Sequence, residues 1–429
     1  MRRARLLAVV AIAAVLLVAC RPGDLDQRFG NGGIVKLNWP GSFHADIGSV
    51  IRETPTGKVV VAATVFFGDP TSFTTRFGLA RLTKEGTLDT SFGTGGYVDT
   101  AFGAESGVGS LRLLPDGKIL AVGGVSERTS TGLDSAIALA RYLPDGTLDP
   151  SFGSGGKTHT FFPGRRDQVA GRAALQSDGR IVVADRVGPN HGGDFALARF
   201  NANGSLDTSF GAGGRLFTDL GGFDAPSGVV RQPDGKMLVS GFSSTPGSPV
   251  AIAMVRYNPD FSLDATFGAG GKALRTPSGR SYSLGGPTLE ADGDIVLGGE
   301  SSVGPNDTAA TVVRFLPNGT VDRSFGASGV VLYNPNPNDL DRFGPVALAP
   351  GDKLVAGLSS AQFDGGLARF NAADGSFDSS FGSGGVVAPD PDRSLQGLVL
   401  TAEGDIVVTK MRFTSTGQRK PEVHRHLGG

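Results

Sequence analysis

The chain has 429 residues, 67 of them glycine, and its 40 basic and 41 acidic residues give a formal net charge of −1. A charge this close to zero excludes a nucleic-acid binder that relies on neutralising phosphates. The single cysteine excludes a disulfide framework and a zinc site built from thiolates. With 27 phenylalanines and only 19 % charged residues, the chain can bury an apolar core and does not have the composition of a disordered protein.

Residues 1–19 have the pattern of an export signal. Three arginines, Arg2, Arg3 and Arg5, precede an uninterrupted apolar run from Leu6 to Ala19. This run is shorter than the roughly 20 residues that a membrane-spanning helix needs, and it has the length of the apolar region of a signal peptide. We therefore predict a signal peptide over residues 1–19.

The segment Leu17-Val18-Ala19-Cys20 resembles the bacterial lipobox, in which the chain is cut before a cysteine that is then acylated. Acylation also accounts for an unpaired thiol in an exported protein. The resemblance implies a lipid on Cys20 that tethers residues 20–429 to the bacterial cell envelope, with this body in the periplasm or on the cell surface. Arg21 follows the cysteine in place of aspartate, which favours the outer membrane. An ordinary signal peptide and a short uncleaved anchor are the alternative interpretations.

After Cys20, one unit of about 58 residues occurs seven times in tandem. The motif Leu-Asp-x-Ser-Phe-Gly-x-Gly-Gly supplies the aspartates Asp26, Asp89, Asp149, Asp207, Asp264, Asp322 and Asp378. A turn motif, Pro-Asp-Gly-Lys in its commonest form, is centred on Gly57, Gly117, Gly179, Gly235, Gly293, Gly351 and Gly404. A third motif, Ala-x-Ala-Arg before an aromatic residue, supplies Arg81, Arg141, Arg199, Arg256, Arg314, Arg369 and Arg425.

Each unit is predicted to contain four strands and no helix. The turn Pro115-Asp116-Gly117-Lys118 is typical of a tight hairpin, because proline presets φ and glycine accepts positive φ. The apolar run 195–200 is too short for a helix and lies between turns, which predicts a third strand. The Phe-Gly-x-Gly-Gly element leads into a short fourth strand. Four strands per unit are typical of a propeller blade.

The phase of the repeat predicts how the blades close into a ring. The repeat region starts with Asp24-Leu25-Asp26, which belongs to the closing part of a unit. The last unit stops in its third strand, near residues 423–426. We therefore predict an all-β, seven-bladed propeller in which an N-terminal strand at residues 32–37 joins the C-terminal blade. An open solenoid and a string of sandwiches are the alternative architectures, but neither needs complementary ends.

These motifs resemble those of the delta-60 repeat family of exported bacterial proteins, and the resemblance covers residues 23–429. It implies a β-propeller-like fold in a secreted or surface-attached protein, and it implies no assigned reaction. Three units depart from the pattern. Gly329 stands alone where other units have a pair of glycines. In Pro350-Gly351-Asp352-Lys353 the glycine and aspartate are exchanged, and the last unit has Thr409-Lys410-Met411-Arg412 where others have glycine or alanine.

The repeated residues are predicted to build the scaffold, because a catalytic role for one copy would leave six copies idle. In the six units from Arg81 to Arg369 the arginine and aspartate lie eight residues apart, or nine in the last of these pairs, Arg369 and Asp378, with a turn between them. We expect them to form an ion pair. The repeated phenylalanine is expected to seal neighbouring sheets against each other.

Function is expected to use residues that do not recur. In a propeller, the segments before each innermost strand surround the central channel. They contain Asp46, Asp167, Asp224 and Asp341, which we predict as candidate binding residues for a cation or a basic partner at the channel mouth. Solvated turn residues are the alternative interpretation. The loops between second and third strands offer the aromatic residues Phe66, Phe67 and Phe73 as exposed contacts.

Two further groups are weighed as metal ligands. His424 and His426 share one face of a strand, but on an edge strand such histidines are more often only polar. The segment 334–341 gathers oxygen ligands, but its asparagines and prolines are typical of a turn-rich loop. We therefore predict no metal and no cofactor.

No nucleophile elbow Gly-x-Ser-x-Gly and no His-Glu-x-x-His motif occurs in the sequence. We therefore predict no catalytic residue, and interpret the protein as a noncatalytic envelope lipoprotein whose propeller is a binding or scaffold module for a protein or glycan partner. The alternative is a hydrolase, lyase or lactonase of propeller type with a site at the channel mouth, which only the scattered aspartates support.

Overall fold

The architecture is almost entirely β-sheet. In this computed structural model the described residues are 21–429 except 104, 130–131, 162–170, 188–192, 336, 338, 361–363, 389–391 and 415–417. They form 29 strands in seven sheets and one short 3-10 turn at Pro277–Gly279. Within this part of the chain, no helix has the length and hydropathy that crossing a membrane requires. The predictions on Cys20 and Asp167 fall outside the described residues.

Each sheet is one blade, and blades 1 to 4 are each continuous in sequence. Blade 1 contains β2 (Ser42–Arg52), β3 (Val59–Asp69), β4 (Ser72–Leu82) and β5 (Tyr97–Thr100). Blade 2 contains β6 (Glu105–Leu113), β7 (Ile119–Thr129), β8 (Gly132–Tyr142) and β9 (Lys157–Phe161). Blade 3 contains β10 (Arg172–Leu175), β11 (Ile181–Val187), β12 (Asp194–Phe200) and β13 (Arg215–Thr218). Blade 4 contains β14 (Phe223–Arg231), β15 (Met237–Ser244), β16 (Ala251–Tyr257) and β17 (Lys272–Arg275).

Blade 6 keeps this plan, whereas blades 5 and 7 vary it. Blade 5 contains β18 (Tyr282–Leu284), β19 (Thr288–Leu289), β20 (Ile295–Gly304), β21 (Asp307–Phe315) and β22 (Val330–Tyr333), and both β18 and β19 pair with β20. Blade 6 contains β23 (Arg342–Ala349), β24 (Lys353–Ser359), β25 (Asp364–Asn371) and β26 (Val386–Val387). Blade 7 combines β27 (Arg393–Leu400), β28 (Ile406–Phe413) and β29 (Arg419–His426) with β1 (Ile34–Lys36).

The strands of a blade follow one another as an antiparallel meander, with the first strand at one edge of the sheet. First strands of neighbouring blades contact each other, for example β2 with β6 and β2 with β27, so they line the centre of the ring. The predicted all-β, seven-bladed propeller is therefore confirmed.

The ring closes through the N-terminal strand, as predicted. β1 pairs antiparallel with β29, with Ile34 opposite His424 and Val35 opposite Val423. The preceding segment adds a backbone hydrogen bond from the amide of Asp26 to the carbonyl of Arg425, at 2.8 Å. Blade 7 thereby gains its fourth strand from the other end of the chain, and the edge of β29 is covered.

An apolar cluster seals each junction between neighbouring blades. Side chains alternate between the two faces of a strand, so one strand serves two junctions. In β3, Val60 and Ala62 pack toward blade 2, whereas Val59 and Val61 pack toward blade 7. This two-sided burial explains why the second and third strands are almost continuously apolar.

The repeated arginine, aspartate and phenylalanine form one buried group at every junction, which we call the junction triad. In blade 2, Nε of Arg141 donates to a carboxylate oxygen of Asp149 at 2.7 Å, and the guanidinium carbon lies 4.6 Å from the centre of the Phe152 ring. Arg141 also donates to the main-chain carbonyl of Ala202 in blade 3. All seven units repeat the ion pair at 2.5–2.9 Å and the stacking at 4.4–4.7 Å. The predicted ion pairs and phenylalanine seals are confirmed.

In five triads the phenylalanine lies against a glycine of the next blade, whereas Phe210 lies against Phe261, with the ring centres 4.7 Å apart. The amide of Gly93 donates to the carbonyl of Asp145 at 2.7 Å, and this places the Gly146 turn over the Phe92 ring. A Cβ atom at Gly146 would lie 2.9 Å from the ring carbons, and φ there is +90°. Both the close approach and the backbone conformation therefore require glycine.

The two faces of the ring carry different parts of the repeat. In an antiparallel meander, the turns between strands 1 and 2 and between strands 3 and 4 of a blade lie on the same face. That face, the motif face, contains turns such as 53–58 and 83–96, where the repeated motifs stand. The opposite face, the loop face, contains the segments between strands 2 and 3 and between blades, such as 70–71 and 219–222.

Replacing one junction arginine should destabilise the ring much more than replacing an exposed one. Arg141→Ala leaves the carboxylate of buried Asp149 with Lys118, whose Nζ is 3.1 Å away, as its only cation, and should cost about 3 kcal/mol. In the control, Arg76→Ala removes an exposed ion pair with Asp99 and should cost about 0–1 kcal/mol. The measurement is the urea midpoint of each purified variant, and equal shifts for the two would contradict a structural role of the junction triad.

Candidate functional site

The three predicted channel-mouth aspartates that the structure describes belong to different blades. Asp46 lies in β2, Asp224 in β14, and Asp341 directly before β23, all toward the loop face. Each has its own polar neighbours, so the structure does not bring them together in one site. The fourth, Asp167, lies outside the described residues.

Asp46 is a paired carboxylate. Its Oδ1 lies 3.0 Å from Nε2 of His44 and accepts a hydrogen bond of 3.4 Å from Arg419 of blade 7. Burial raises the pKa of Asp46, but the neighbouring His44 and Arg419 outweigh it and hold the pKa below its ordinary value. Asp46 therefore helps to join blades 7 and 1 and has its charge already compensated.

An aromatic patch surrounds this pair on the loop face of blade 1 and consists of Phe43, His44, Phe66 and Phe73. The ring centres of Phe66 and Phe73 are 5.3 Å apart, and that of His44 is 4.9 Å from that of Phe66. Phe73 is 44 % exposed at the tip of the β3–β4 hairpin, as predicted. Of the other two predicted contacts, Phe66 and Phe67 are half-buried, and Phe67 lies beneath the Arg76 guanidinium. The patch can stack against a ring or an apolar group of a ligand.

Asp224 belongs to a group of three carboxylates, which we call the acidic triad. Oxygens of Asp194, Asp219 and Asp224 all lie within 4.8 Å of one another. Asp224 is 0 % exposed, and its Oδ2 accepts a hydrogen bond of 2.7 Å from the amide of Leu220. Its Oδ1 has no hydrogen-bond partner among the described residues. Burial raises the pKa of Asp194, and the neighbouring carboxylates of Asp219 and Asp224 raise it further.

The sequence missed two members of the acidic triad. Asp219 lies in a segment before an innermost strand, where the rule that selected Asp224 also applies. Asp194 is the first residue of β12 in blade 3, so it meets the other two only across the junction of blades 3 and 4. No spacing in the sequence indicates that contact.

Asp341 is a buried carboxyl group without an ion-pair partner among the described residues. It is 1 % exposed, its amide donates to the carbonyl of Thr308 at 3.1 Å, and its Oδ2 has no hydrogen-bond partner in the described part of the chain. Burial, with Asp339 and Asp307 nearby, raises the pKa of Asp341 to about 6. Asp341 is therefore not the solvated turn residue of the alternative interpretation.

The interpretation of His424 and His426 as polar residues of an edge strand is wrong. β29 is the third strand of blade 7, and β1 covers its edge, so both side chains are buried. Nε2 of His424 lies 3.0 Å from Glu422, which also accepts a 2.9 Å hydrogen bond from Arg393. Burial raises the pKa of Glu422, but His424 and Arg393 prevail and lower it to about 2. The two histidines serve the junction of blades 6 and 7.

Asp341→Asn should stabilise the protein at neutral and alkaline pH. The pKa of Asp341 is about 6 in the folded state and 3.8 in the unfolded state, so folding above about pH 6 must bury an ionised group. The neutral amide removes that cost, about 2 kcal/mol near pH 8, and the gain should shrink as the pH falls from about 6 to about 4. The measurement is the urea midpoint against pH.

Asp46→Asn is the matched control, with the opposite sign. Because the folded-state pKa of Asp46 is lowered, its charge stabilises the fold above the unfolded pKa, and this contribution disappears on acidification. The variant should therefore lose stability near neutral pH. A loss of stability at about pH 8 in Asp341→Asn would refute the buried, unpaired state of that carboxyl group.

Comparisons with known proteins agree with this architecture. The family model described as domain of unknown function (DUF5122) beta-propeller matches residues 54–92, 114–152, 176–210, 232–267, 290–325 and 353–381, one segment in each of blades 1 to 6. No curated protein matches the sequence. The solved polysaccharide lyase Uly1 is similar at 13 % identity and a TM-score of 0.53, over 94 % of this chain and 92 % of that one. A PL25 ulvan lyase solved with -[GlcA(1-4)Rha3S]- is similar at 13 % identity and a TM-score of 0.52, and the match covers 90 % of this chain and 96 % of the lyase chain.

At this level of identity the likeness to the two lyases concerns the fold alone. The family matches stop short of blade 7, whose strands come from both ends of the chain and whose third strand departs from the repeat. The chain is a seven-bladed β-propeller that carries repeats of the DUF5122 beta-propeller family.

Proposed function

We propose that this protein is a noncatalytic lipoprotein of the bacterial cell envelope whose propeller binds a protein or glycan partner through its loop face. One observation carries the proposal. The repeated arginines and aspartates bind one another in the junction triads on the motif face, whereas the unrepeated aromatic and acidic groups lie on the loop face. A surface that varies from blade to blade on a fixed scaffold is where propellers and other repeat folds place recognition.

The aromatic patch is the part of the loop face that is best suited to contact a partner. It combines the exposed ring of Phe73 with the half-buried rings of Phe43 and Phe66, and the paired charges of Asp46 and Arg419 lie beside it. Aromatic rings next to a few fixed polar groups are typical of binding sites for both proteins and sugars.

The mutual positions of the three described candidates, Asp46, Asp224 and Asp341, favour a binding module over a hydrolase, lyase or lactonase that uses them together. Asp46 is neutralised by its partners, and the other two candidates lie in blades 4 and 6, each with its own neighbours. Acid–base chemistry needs two such groups within reach of one substrate bond. The glycan bound to the ulvan lyase is a ligand of that enzyme, and here it only suggests sugars as one class of ligand to be tested.

The position of the first described residues supports a loop face that points away from the membrane. The carbonyl of Pro22 accepts a hydrogen bond of 2.9 Å from Gly382, where other blades use a carbonyl of a motif-face turn, such as Asn203 with Gly153. The described chain therefore enters the ring at the motif face. A lipid on Cys20 would hold that face toward the bilayer.

Phe73→Ala should weaken partner binding at least tenfold. Burying one phenylalanine ring is worth about 1.5–3 kcal/mol, and about 1.4 kcal/mol corresponds to a factor of ten. Phe217→Ala is the control, because Phe217 is equally exposed at 44 % but stands on β13, the outermost strand of blade 3. Binding is measured against detergent-solubilised envelope proteins and a glycan array. A ligand that both variants retain as well as the wild type would rule out the aromatic patch.

Cys20→Ser should abolish lipid attachment. We expect labelled fatty acid to enter the wild-type protein and not the variant, since the sequence has no other cysteine. The variant should also leave the membrane fraction, because stable anchoring needs the acyl chains. Labelling that persists in Cys20→Ser would refute the lipoprotein assignment and leave the binding role of the ring to be judged by the Phe73 experiment.

A further inference from the structure

The acidic triad differs from every repeated aspartate in how its charge is compensated. Each repeated aspartate forms an ion pair with an arginine guanidinium, as Asp149 does with Arg141. In the described part of the chain, none of Asp194, Asp219 and Asp224 forms an ion pair with an arginine, lysine or histidine. Three carboxylates within 4.8 Å of one another thus repel each other without a protein cation between them.

The nearest basic groups are engaged elsewhere. Nζ of Lys272 donates to the main-chain carbonyl of Asp219 at 2.7 Å, not to its carboxylate. The guanidinium of Arg186 lies over the ring of Phe223, 4.9 Å from its centre. The fold therefore brings cations to the neighbourhood without pairing them with these carboxylates, and the amides of Leu220 and Gly221 donate to Asp224 and Asp219 instead.

Burial supplies a second, independent sign of a missing ligand. Asp224 is 0 % exposed, and its Oδ1 has no hydrogen-bond partner among the described residues, although Oδ2 is held by the Leu220 amide. An ionised oxygen withdrawn from water without a partner is strongly unfavourable. Asp219, in contrast, is exposed, so the group can be reached from solvent on the loop face.

We propose that Asp194, Asp219 and Asp224 bind one divalent cation of the calcium class. A hard cation that takes only oxygen ligands at 2.3–2.6 Å suits a set of three carboxylates, and ligands on opposite sides of such an ion are about 5 Å apart. The oxygen atoms of the acidic triad fall within that separation, at 4.8 Å or less. The cation would replace the absent protein charge and give Asp224 Oδ1 its partner.

The cation would also join two blades on the face that lacks junction triads. Asp194 belongs to blade 3, whereas Asp219 and Asp224 belong to the segment that starts blade 4. Backbone contact at the same place already links them, since the amide of Asp224 donates to the carbonyl of Gly193 at 2.7 Å. This inference is independent of the proposed function, because it requires neither a lipid anchor nor a binding partner.

The test is calcium binding by the full-length protein in detergent, first stripped with a chelator and then titrated with Ca²⁺ in a calorimeter. We expect one Ca²⁺ per chain and a melting temperature that rises with Ca²⁺ until the site is filled. No binding up to about 1 mM, the weak end of extracellular calcium sites, would overturn the proposal.

The variant Asp219→Asn separates a cation site from a merely structural cluster. Because Asp219 is exposed, the variant should fold, and it should bind Ca²⁺ at least tenfold more weakly. Without Ca²⁺ it should melt at a higher temperature than the wild type, since one repulsive charge is removed, and with saturating Ca²⁺ the order should reverse. Asp234→Asn, which changes an exposed aspartate in a motif-face turn of blade 4, is the control and should leave the Ca²⁺ affinity unchanged. Equal Ca²⁺ affinity in wild type, Asp219→Asn and Asp194→Asn would overturn the assignment.

Discussion

A single buried arginine at each blade junction is the constraint on which the ring depends. Its guanidinium pairs with an aspartate in its own blade and lies over a phenylalanine of the same unit. In six of the seven units it also donates to a carbonyl of the next blade, as Arg141 does to Ala202, and Arg199 is the exception. A buried charge must keep all of its partners, because losing one leaves it uncompensated. A blade therefore cannot slide or rotate against its neighbour without breaking the group, and seven such groups fix the spacing around the circle.

This constraint also decides where the protein can vary. The triads occupy the motif face, and their phenylalanine, glycine and arginine positions leave little freedom in the turns there. The loop face carries none of these bonds, so its segments differ in length and content. Blade 7 varies in another way: opposite Glu422 in its sheet stands Lys410, where blade 2 pairs Gly123 with Ala138. Charged packing there replaces the small residues used elsewhere.

The sequence was sufficient to predict the fold, because each repeated motif marks the same structural position in every blade. Seven copies of a motif predicted seven blades, the phase of the repeat predicted β1, and the spacing of Arg81 and Asp89 predicted their ion pair. The site was predicted only in part. Asp224 was found from its place before an innermost strand, but Asp194 reaches it from another blade, and such adjacency leaves no pattern in one chain. The prediction that His424 lies on an edge strand was wrong for a simpler reason. The predicted closing strand β1 pairs with the strand of His424, so that strand is no longer at the edge of the sheet.

An unusual carboxyl pKa does not by itself separate scaffold from candidate site in this ring. Burial raises the pKa of Glu290 to about 7, yet Glu290 lies 3.6 Å from the junction arginine Arg314 and so belongs to the scaffold. Asp341 shares with Asp224 the missing cation partner among the described residues and the buried, unbonded oxygen. What sets Asp224 apart is its place in a group of three carboxylates within 4.8 Å of one another, one of which, Asp219, is exposed. A fold that neutralises its repeated aspartates seven times has the means to neutralise another. The proposed cation would supply to this group the positive charge that an arginine supplies to each junction triad.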